Sequence, residues 1–167
     1  MWYHNYTEIR EVTKMTIIDI TKNIQKVQEK NPMRKFSDIA EWALADYYNI
    51  ERHMHDSKSD SEGADVEVEN ENLYISVKTA RWTLVSGKKG FDTMDTIWEN
   101  YENTTRSNMH AYIAKNGIAY MMDINEWKNF VYKFAGLERD SKKNGGNWKI
   151  RGRRESQKML DYLALMA

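Results

Sequence analysis

Residues 63–79 read Gly-Ala-Asp-Val-Glu-Val-Glu-Asn-Glu-Asn-Leu-Tyr-Ile-Ser-Val-Lys-Thr. Polar and apolar side chains alternate in both halves of this stretch, with a polar segment between them. Such an alternation is typical of a β-strand, whose successive side chains point to opposite faces. The pattern therefore predicts a hairpin of two short strands around which the rest of the chain is organised.

The two faces of the predicted hairpin differ in chemistry. The apolar face consists of Val66, Val68, Leu73, Ile75 and Val77. The opposite face consists of Asp65, Glu67, Glu69, Tyr74, Ser76 and Lys78. Hard cations prefer carboxylate oxygens, so carboxylates grouped around one lysine suit a divalent cation that lies beside a nucleophilic water.

Length and composition limit the class of protein. The chain has 167 residues and no cysteine, and a chain of this length is expected to form a single domain with a sufficient core. Without cysteine neither a disulfide framework nor a thiolate metal site can form, and with no secretory segment visible we expect a reducing, cytoplasmic setting. No apolar run approaches the roughly 18 residues that a membrane span requires, so no membrane partner is expected.

Charge is distributed unevenly along the chain although the net charge is zero. Residues 1–78 contain 15 acidic and 10 basic side chains, whereas residues 79–167 contain 10 acidic and 15 basic ones. A focused basic region attracts a polyanionic partner more effectively than the total charge suggests. The alternative is a chance asymmetry that merely solvates the surface.

Periodic apolar residues predict helices before and after the hairpin. Their spacing near 3.6 through residues 7–30 predicts one long amphipathic helix. A second helix is expected to begin at Ser37, a favoured N-cap residue, and Glu41 lies on its flank. Asp92 is expected to cap a third helix and Asp123 a fourth, which Gly136 ends. A last helix is expected near the C-terminus.

Further strands are predicted between these helices. Residues 110–122 contain a second alternating hairpin with a type I′ turn at Asn116 and Gly117. Residues 51–62 are polar and predict a loop or one weak strand, and the second strand of the first hairpin is expected to run on through residues 82–85. Helices interspersed with strands predict an α/β fold with a central mixed β-sheet flanked by helices.

Two half-motifs, Gly63-Ala64-Asp65 and Ser76-Val77-Lys78, resemble those of the PD-(D/E)xK nuclease superfamily, which has the restriction-endonuclease-like fold. The resemblance covers mainly residues 36–120, and it implies a core at about 36–122 with a basic extension at about 138–167. In that family two acids and the carbonyl between the second acid and the lysine bind Mg²⁺, while the lysine orients or activates the attacking water. The resemblance implies that Asp65 and the Val77 carbonyl bind the metal and that Lys78 is the catalytic lysine.

The sequence departs from the family pattern at two positions. Ala64 stands where the family often has proline, which is a tolerable change. Ser76 stands where the second acid is expected, and serine supplies no charged ligand. Related enzymes with this serine recover an acid from a neighbouring element, and the candidates here are Glu41, Glu67, Asp92, Asp95 and Glu99.

Three of these acids also have a structural interpretation. Asp92 fits a helix cap, Glu41 fits an exposed helical glutamate, and Glu67 fits the solvated face of an edge hairpin. Asp65 and Lys78 could form a cross-strand ion pair worth up to ~1 kcal/mol.

Basic residues after the motif suggest contacts with DNA. Residues 138–158 contain eight lysines or arginines and three acids; cations of this kind release counterions from DNA, and asparagines can bond bases or phosphates. The alternative is a solvated turn before the last helix. The candidate DNA-binding residues are Lys88, Lys89, Lys142, Lys143, Asn144, Lys149, Arg151, Arg153 and Arg154.

These observations predict a Mg²⁺-dependent endodeoxyribonuclease, in which Mn²⁺ could substitute, of the restriction, homing or phage type, acting in the cytosol of a bacterium or a phage-infected host. Cleavage of both strands needs two active sites, so a homodimer or higher homo-oligomer is expected. Two alternatives stay open. One is a catalytically silent DNA-binding or inhibitor protein with the same fold, and the other is an RNA-directed nuclease.

Overall fold

The alternating stretch folds into the predicted antiparallel hairpin. The computed structural model describes residues 15–50, 64–79, 83–87, 89–140, 147–152 and 156–166. In chain order the strands are β1 Thr16–Asp19, β2 Val66–Val68, β3 Leu73–Thr79, β4 Thr83–Ser86, β5 Met109–Ile113, β6 Ile118–Asp123, β7 Ala135–Asp140 and β8 Asn147–Gly152. The helices are α1 Thr21–Lys30, α2 Phe36–Tyr47, α3 Met94–Thr104, α4 Ile124–Phe134 and α5 Ser156–Met166, and a short 3-10 turn at Glu69–Glu71 joins β2 to β3.

Two sheets organise these elements. The main sheet has five strands in the order β1-β6-β5-β3-β2, and a second sheet has three strands in the order β4-β8-β7. Within the main sheet β3 pairs in parallel with β5, whereas the other neighbours are antiparallel. A parallel pair needs a crossover connection, and the segment that contains β4 and α3 provides it. The prediction of an α/β fold with a mixed sheet and flanking helices is confirmed.

The apolar face of the hairpin packs against α2, as its alternation predicts. Ala40, Ala43 and Leu44 of α2 belong to one buried cluster with Val66 and Ile75. The two alanines have little bulk, so the helix backbone can lie close to the sheet. Burying a valine or isoleucine side chain stabilises the fold by about 1.5–3 kcal/mol.

The opposite face of the main sheet contributes to a second, larger core. Trp98 of α3 and Trp127 and Phe130 of α4 pack there with Tyr112 of β5. Leu84, Val85 and Ile150 of the second sheet join the same cluster, together with Met159 and Leu163 of α5. The polar residues of the hairpin therefore lie at the margin of a buried aromatic layer.

The segment predicted as one long helix at 7–30 is different in the structure. Residues 16–19 form β1, an edge strand paired with β6, and the helix begins only at Thr21. Ile20 donates its N–H to the Gly117 carbonyl at 2.9 Å, and Asp19 Oδ1 accepts from the Thr21 N–H at 2.9 Å. Ile17 and Ile18 suit a strand as well as a helix, so pairing with β6 overrides the apparent helical period. Residues 7–14 lie outside the described part of the chain.

Two predicted helix caps lie at neighbouring positions instead. The second helix begins at Phe36 after Lys35, not at Ser37, and no side chain caps it. Thr93, not Asp92, caps α3: its side chain accepts from the Thr96 N–H at 3.2 Å in a capping box. Asp123 caps α4 as predicted, and its Oδ1 accepts from the Glu126 N–H at 2.8 Å.

Three further predictions need correction. Asn116 does not adopt the positive φ that a type I′ turn requires; Gly117 alone does so in this turn, with φ of 87°. Gly136 lies in β7, since α4 ends at Phe134. The second hairpin strand ends at Thr79, and residues 83–86 pair in the other sheet. Residues 51–62, predicted as a loop or weak strand, lie outside the described residues.

Within the described ranges, none of the helices combines the length and the apolar character that a membrane crossing requires.

Gly117 provides a test of how the second hairpin packs on α1. A Cβ atom added at Gly117 would collide with the Thr21 side-chain oxygen and come within 3.1 Å of Thr21 Cα, and φ there is already unfavourable for other residues. We expect Gly117→Ala to lower the free energy of unfolding by about 2 kcal/mol or more, measured by urea denaturation. Gly90→Ala is the matched control, because Gly90 has a similar φ of +92° and no atom within 4 Å of the added Cβ. Equal losses in the two variants would contradict the close approach.

Candidate functional site

The Asp65 carboxylate lies against the backbone of β3. Its Oδ2 accepts a hydrogen bond from the Val77 N–H at 2.7 Å, and its own N–H donates to the Ile75 carbonyl at 2.8 Å. The paired ladder of β2 and β3 ends at Val66 and Ile75, so the carboxylate takes the place of the next strand residue. The N–H and carbonyl of one strand residue point toward the same neighbouring strand. The Val77 carbonyl therefore faces the edge that the Asp65 carboxylate occupies.

Ser76 and Lys78 lie on the strand that Asp65 contacts, on the face opposite the apolar residues. Their neighbours across the parallel pair are His110 and Tyr112 of β5. Lys78 is half-buried, whereas Ser76 is only 3% exposed. Lys78 thus presents its charge at the margin of the core, and Ser76 lies beneath the surface.

A buried hydrogen-bond network lies under these residues. The Tyr101 hydroxyl of α3 contacts His110 Nε2, and it also hydrogen-bonds the Ser76 and Thr105 side chains. The His110 ring stacks on Trp127 with centroids 5.2 Å apart and planes 8° apart. His110 Nδ1 is buried and has no hydrogen-bond partner among the described residues.

Burial keeps this network uncharged. Desolvation, together with a smaller effect of the positive charge of Lys78, lowers the pKa of His110 to about 3. Desolvation also raises the pKa of Tyr101 to about 12, although its hydrogen bond with Thr105 opposes the shift. A neutral histidine and a neutral tyrosine therefore support the strand beneath Asp65 and Lys78 at neutral pH.

Glu67 is engaged in an ion pair on the same face. Its Oε1 lies 3.2 Å from an Nη atom of Arg106, yet that buried oxygen makes no aligned hydrogen bond with the described residues. We treat the contact as an ion pair, because attraction between charges depends on distance while a hydrogen bond also needs alignment. Arg106 additionally lies over the Tyr74 ring, 4.8 Å from its centroid.

The other candidate acids are spread over three places. Glu41 is half-buried on α2, the helix that packs against the apolar face. Asp92 is exposed before α3, and Glu99 is exposed on α3. Asp95 accepts a hydrogen bond from the Tyr132 hydroxyl of α4, which ties the two helices together.

The donor set can be compared with the needs of Mg²⁺. Within the residues described, no group of three or more acids or histidines could hold a metal ion. Mg²⁺ usually keeps several waters and needs only one or two protein carboxylates together with substrate phosphates. Asp65, with the adjacent Val77 carbonyl, fits that smaller requirement, and Glu67 could add a second carboxylate by leaving Arg106.

The candidate DNA-binding residues are described only in part. Lys89 is exposed in the turn before α3. Lys149 and Arg151 belong to β8, where they pair with Ser86 and Thr83 of β4. The segment for which a solvated turn was the alternative interpretation thus contains a strand. The other candidates lie outside the described residues: Lys88, Lys142, Lys143, Asn144, Arg153 and Arg154.

Sequence reasoning missed three residues that border the site. Tyr101 fits the apolar stripe of its helix. The helical period of that stripe does not reveal that the Tyr101 hydroxyl makes a hydrogen bond with Ser76. His110 begins an alternating strand, and that alternation could have placed it on the inner face. No sequence pattern points to Arg106, because it lies in the loop between α3 and β5, where side-chain direction follows no regular period.

Comparison of the chain with protein-family models, with curated proteins and with solved structures found no match.

His110 gives this site a testable pH dependence. Its pKa is about 3 in the folded protein against an ordinary value of 6.5, so the unfolded chain binds an extra proton between these pH values. Folding stability is therefore fully present above pH 6.5 and is lost as the pH falls toward 3. In His110→Gln this contribution disappears. The stability difference between wild type and variant should shrink by about 2 kcal/mol from pH 7 to pH 5 in urea denaturation. Parallel stability profiles would contradict a neutral buried His110.

Proposed function

We propose that the chain is a Mg²⁺-dependent endodeoxyribonuclease that hydrolyses phosphodiester bonds in DNA. The observation that carries the proposal is the 2.7 Å hydrogen bond between the Asp65 carboxylate and the Val77 N–H. This contact brings the acid of the first half-motif to the backbone of the second. In addition to burial, the charge of Lys78, the next residue of β3, lowers the pKa of His110, and the charge of Asp65 raises the pKa of Tyr101. The His110 and Tyr101 side chains contact each other, which supports a position of Lys78 and Asp65 on the same face of the sheet.

Each of these groups has a defined role in the proposed reaction. A bound Mg²⁺ would supply positive charge at the phosphate, and Asp65 with the Val77 carbonyl would hold it. The Lys78 ammonium donates hydrogen bonds to the attacking water and to a non-bridging phosphate oxygen, which orients the water in line with the bond that breaks. The oxygen of the water bonds to phosphorus and its proton passes to solvent, while the bond from phosphorus to the ester oxygen breaks and that oxygen takes up a proton from solvent.

The proposal includes a homodimer, because cleavage of both DNA strands requires two copies of this site. In this proposal Ser76 does not supply the second acid of the family pattern. The Ser76 side chain is buried and hydrogen-bonded to Tyr101. In this proposal its hydroxyl holds β3 in place and does not contact the substrate.

A second function is favoured by one observation. The described residues contain no third acid grouped with Asp65 and Glu67, and a site with few carboxylates would suit a catalytically silent DNA-binding or inhibitor protein. The two functions differ in whether a divalent ion supports cleavage.

Plasmid cleavage tests the assignment. Supercoiled plasmid is incubated with the protein and Mg²⁺ or Mn²⁺, and with EDTA as the metal-free reference. Asp65→Asn keeps an oxygen that can accept from the Val77 N–H, and Lys78→Met keeps the apolar part of the side chain. We expect each change to reduce the nicking rate by roughly a hundredfold or more, because charge stabilisation of the transition state is lost.

Glu71→Gln and Lys115→Met are matched controls. Both residues are exposed in turns, and the substitutions make the same changes of charge, so we expect wild-type nicking. Nicking that persists unchanged in Asp65→Asn and Lys78→Met would refute the proposed site. Wild-type protein that binds DNA and never cleaves it would support the silent DNA-binding function.

A further inference from the structure

Arg106 is held on the same face as Asp65 by two side chains of the hairpin. Its guanidinium lies 3.2 Å from Glu67 and 4.8 Å from the centre of the Tyr74 ring. The connection that carries Arg106 is fixed to β3, because Asn108 exchanges hydrogen bonds with the Tyr74 backbone at 2.9 and 3.0 Å and donates to the Asn72 carbonyl at 2.7 Å. The position of this cation is therefore set by the strand that carries Lys78.

Glu67 limits how far Arg106 can lie from the proposed metal ligand. Glu67 is the ion-pair partner of Arg106 and the cross-strand neighbour of Tyr74, and Asp65 lies two residues before Glu67, just ahead of β2. Two residues of extended chain span at most about 7 Å. A nucleic-acid strand with one phosphate at Asp65 has its neighbouring phosphates within reach of a side chain as long as that of Arg106.

Glu67 competes only weakly with such a phosphate for the Arg106 guanidinium. The side chains are 21% and 39% exposed, and the Glu67 oxygen that contacts Arg106 is buried, so the loss of hydration offsets part of the attraction. The contact also lacks an aligned hydrogen bond at Glu67 Oε1. Phosphate oxygens match the fork of a guanidinium in two parallel hydrogen bonds, which is a stronger arrangement. The Tyr74 ring would stay beneath the guanidinium and keep its orientation during the exchange.

We propose that Arg106 binds a DNA phosphate next to the scissile one, and that this exchange releases the Glu67 carboxylate toward the site. The inference rests on the proposed nuclease function for the identity of the polyanion. It assigns Glu67 two partners: Arg106 in the free protein and the divalent ion once DNA is bound. DNA binding would then add a second carboxylate to the donors that Asp65 and the Val77 carbonyl offer.

Metal-free binding measures the role of Arg106 separately from cleavage. Fluorescein-labelled duplex DNA is titrated in EDTA at several salt concentrations, and binding is followed by fluorescence anisotropy. We expect Arg106→Gln to weaken binding and to lower the slope of log K against log salt by about 0.9, the loss of one phosphate contact. Arg34→Gln is the matched control: Arg34 lies over Trp42 of α2 at 5.5 Å, on the helical side away from Asp65, so the slope should stay at the wild-type value.

Glu67→Gln tests the exchange itself. Without the competing carboxylate, Arg106 has one anionic partner fewer before DNA arrives, and we expect tighter metal-free binding than in wild type. The double variant of Glu67→Gln and Arg106→Gln should lose that gain. Glu71→Gln removes an equal charge from the exposed turn between β2 and β3 and controls for the general loss of repulsion. Thermal melting of each variant reports whether the fold is kept.

The outcomes separate this inference from the proposed function. An unchanged salt slope in Arg106→Gln, or a wild-type protein that binds no DNA in EDTA, overturns the role of Arg106 even if the plasmid is cleaved. Binding that depends on Arg106 in a protein that never cleaves DNA supports the phosphate contact and refutes the nuclease. If Glu67→Gln and Glu71→Gln tighten metal-free DNA binding equally, the proposed exchange of Glu67 for a phosphate at Arg106 is overturned.

Discussion

Alternation along β3 is the constraint on which the rest of the structure depends. Ile75 must face α2 to complete the apolar cluster, and so Ser76 and Lys78 must face the other side. A shift of one residue would place the charged side chains in that cluster and expose the apolar ones. The register therefore follows from burial. The parallel pairing of β3 with β5 then determines where α3 crosses, and this crossing brings Tyr101 above Ser76 and His110.

The two faces of the hairpin could be predicted, because apolar residues recur at every second position and successive strand side chains point to opposite faces. Asp123 could be predicted as a cap because its carboxylate satisfies a free N–H at the start of α4, a local interaction. The contact of Asp65 with Val77 agrees with the two short half-motifs, which assign both residues to one site. In each of these cases a few adjacent residues contain the information.

The strands and contacts that the sequence did not predict depend mostly on partners that are distant in the chain. Residues 16–19 form a strand only because β6 offers an edge to pair with, and residues 147–152 form one because β4 and β7 lie on either side. Thr93 replaces Asp92 as a cap through a reciprocal bond with Thr96, a competition between adjacent candidates that residue type does not decide. Arg106 reaches Glu67 through a connection, where no periodic pattern predicts the direction of a side chain.

The hydrogen bond from the Val77 N–H to Asp65 has a consequence for association between molecules. A strand that continues beyond its neighbour exposes unpaired backbone groups, which can recruit a strand from another copy. In the described part of the chain, β3 extends past the end of β2 at Val77, and the carboxylate occupies the first of these positions with a negative charge. The same side chain thus protects the sheet against edge-to-edge aggregation. A functional dimer would have to form through a different surface, with this edge left open to the solvent.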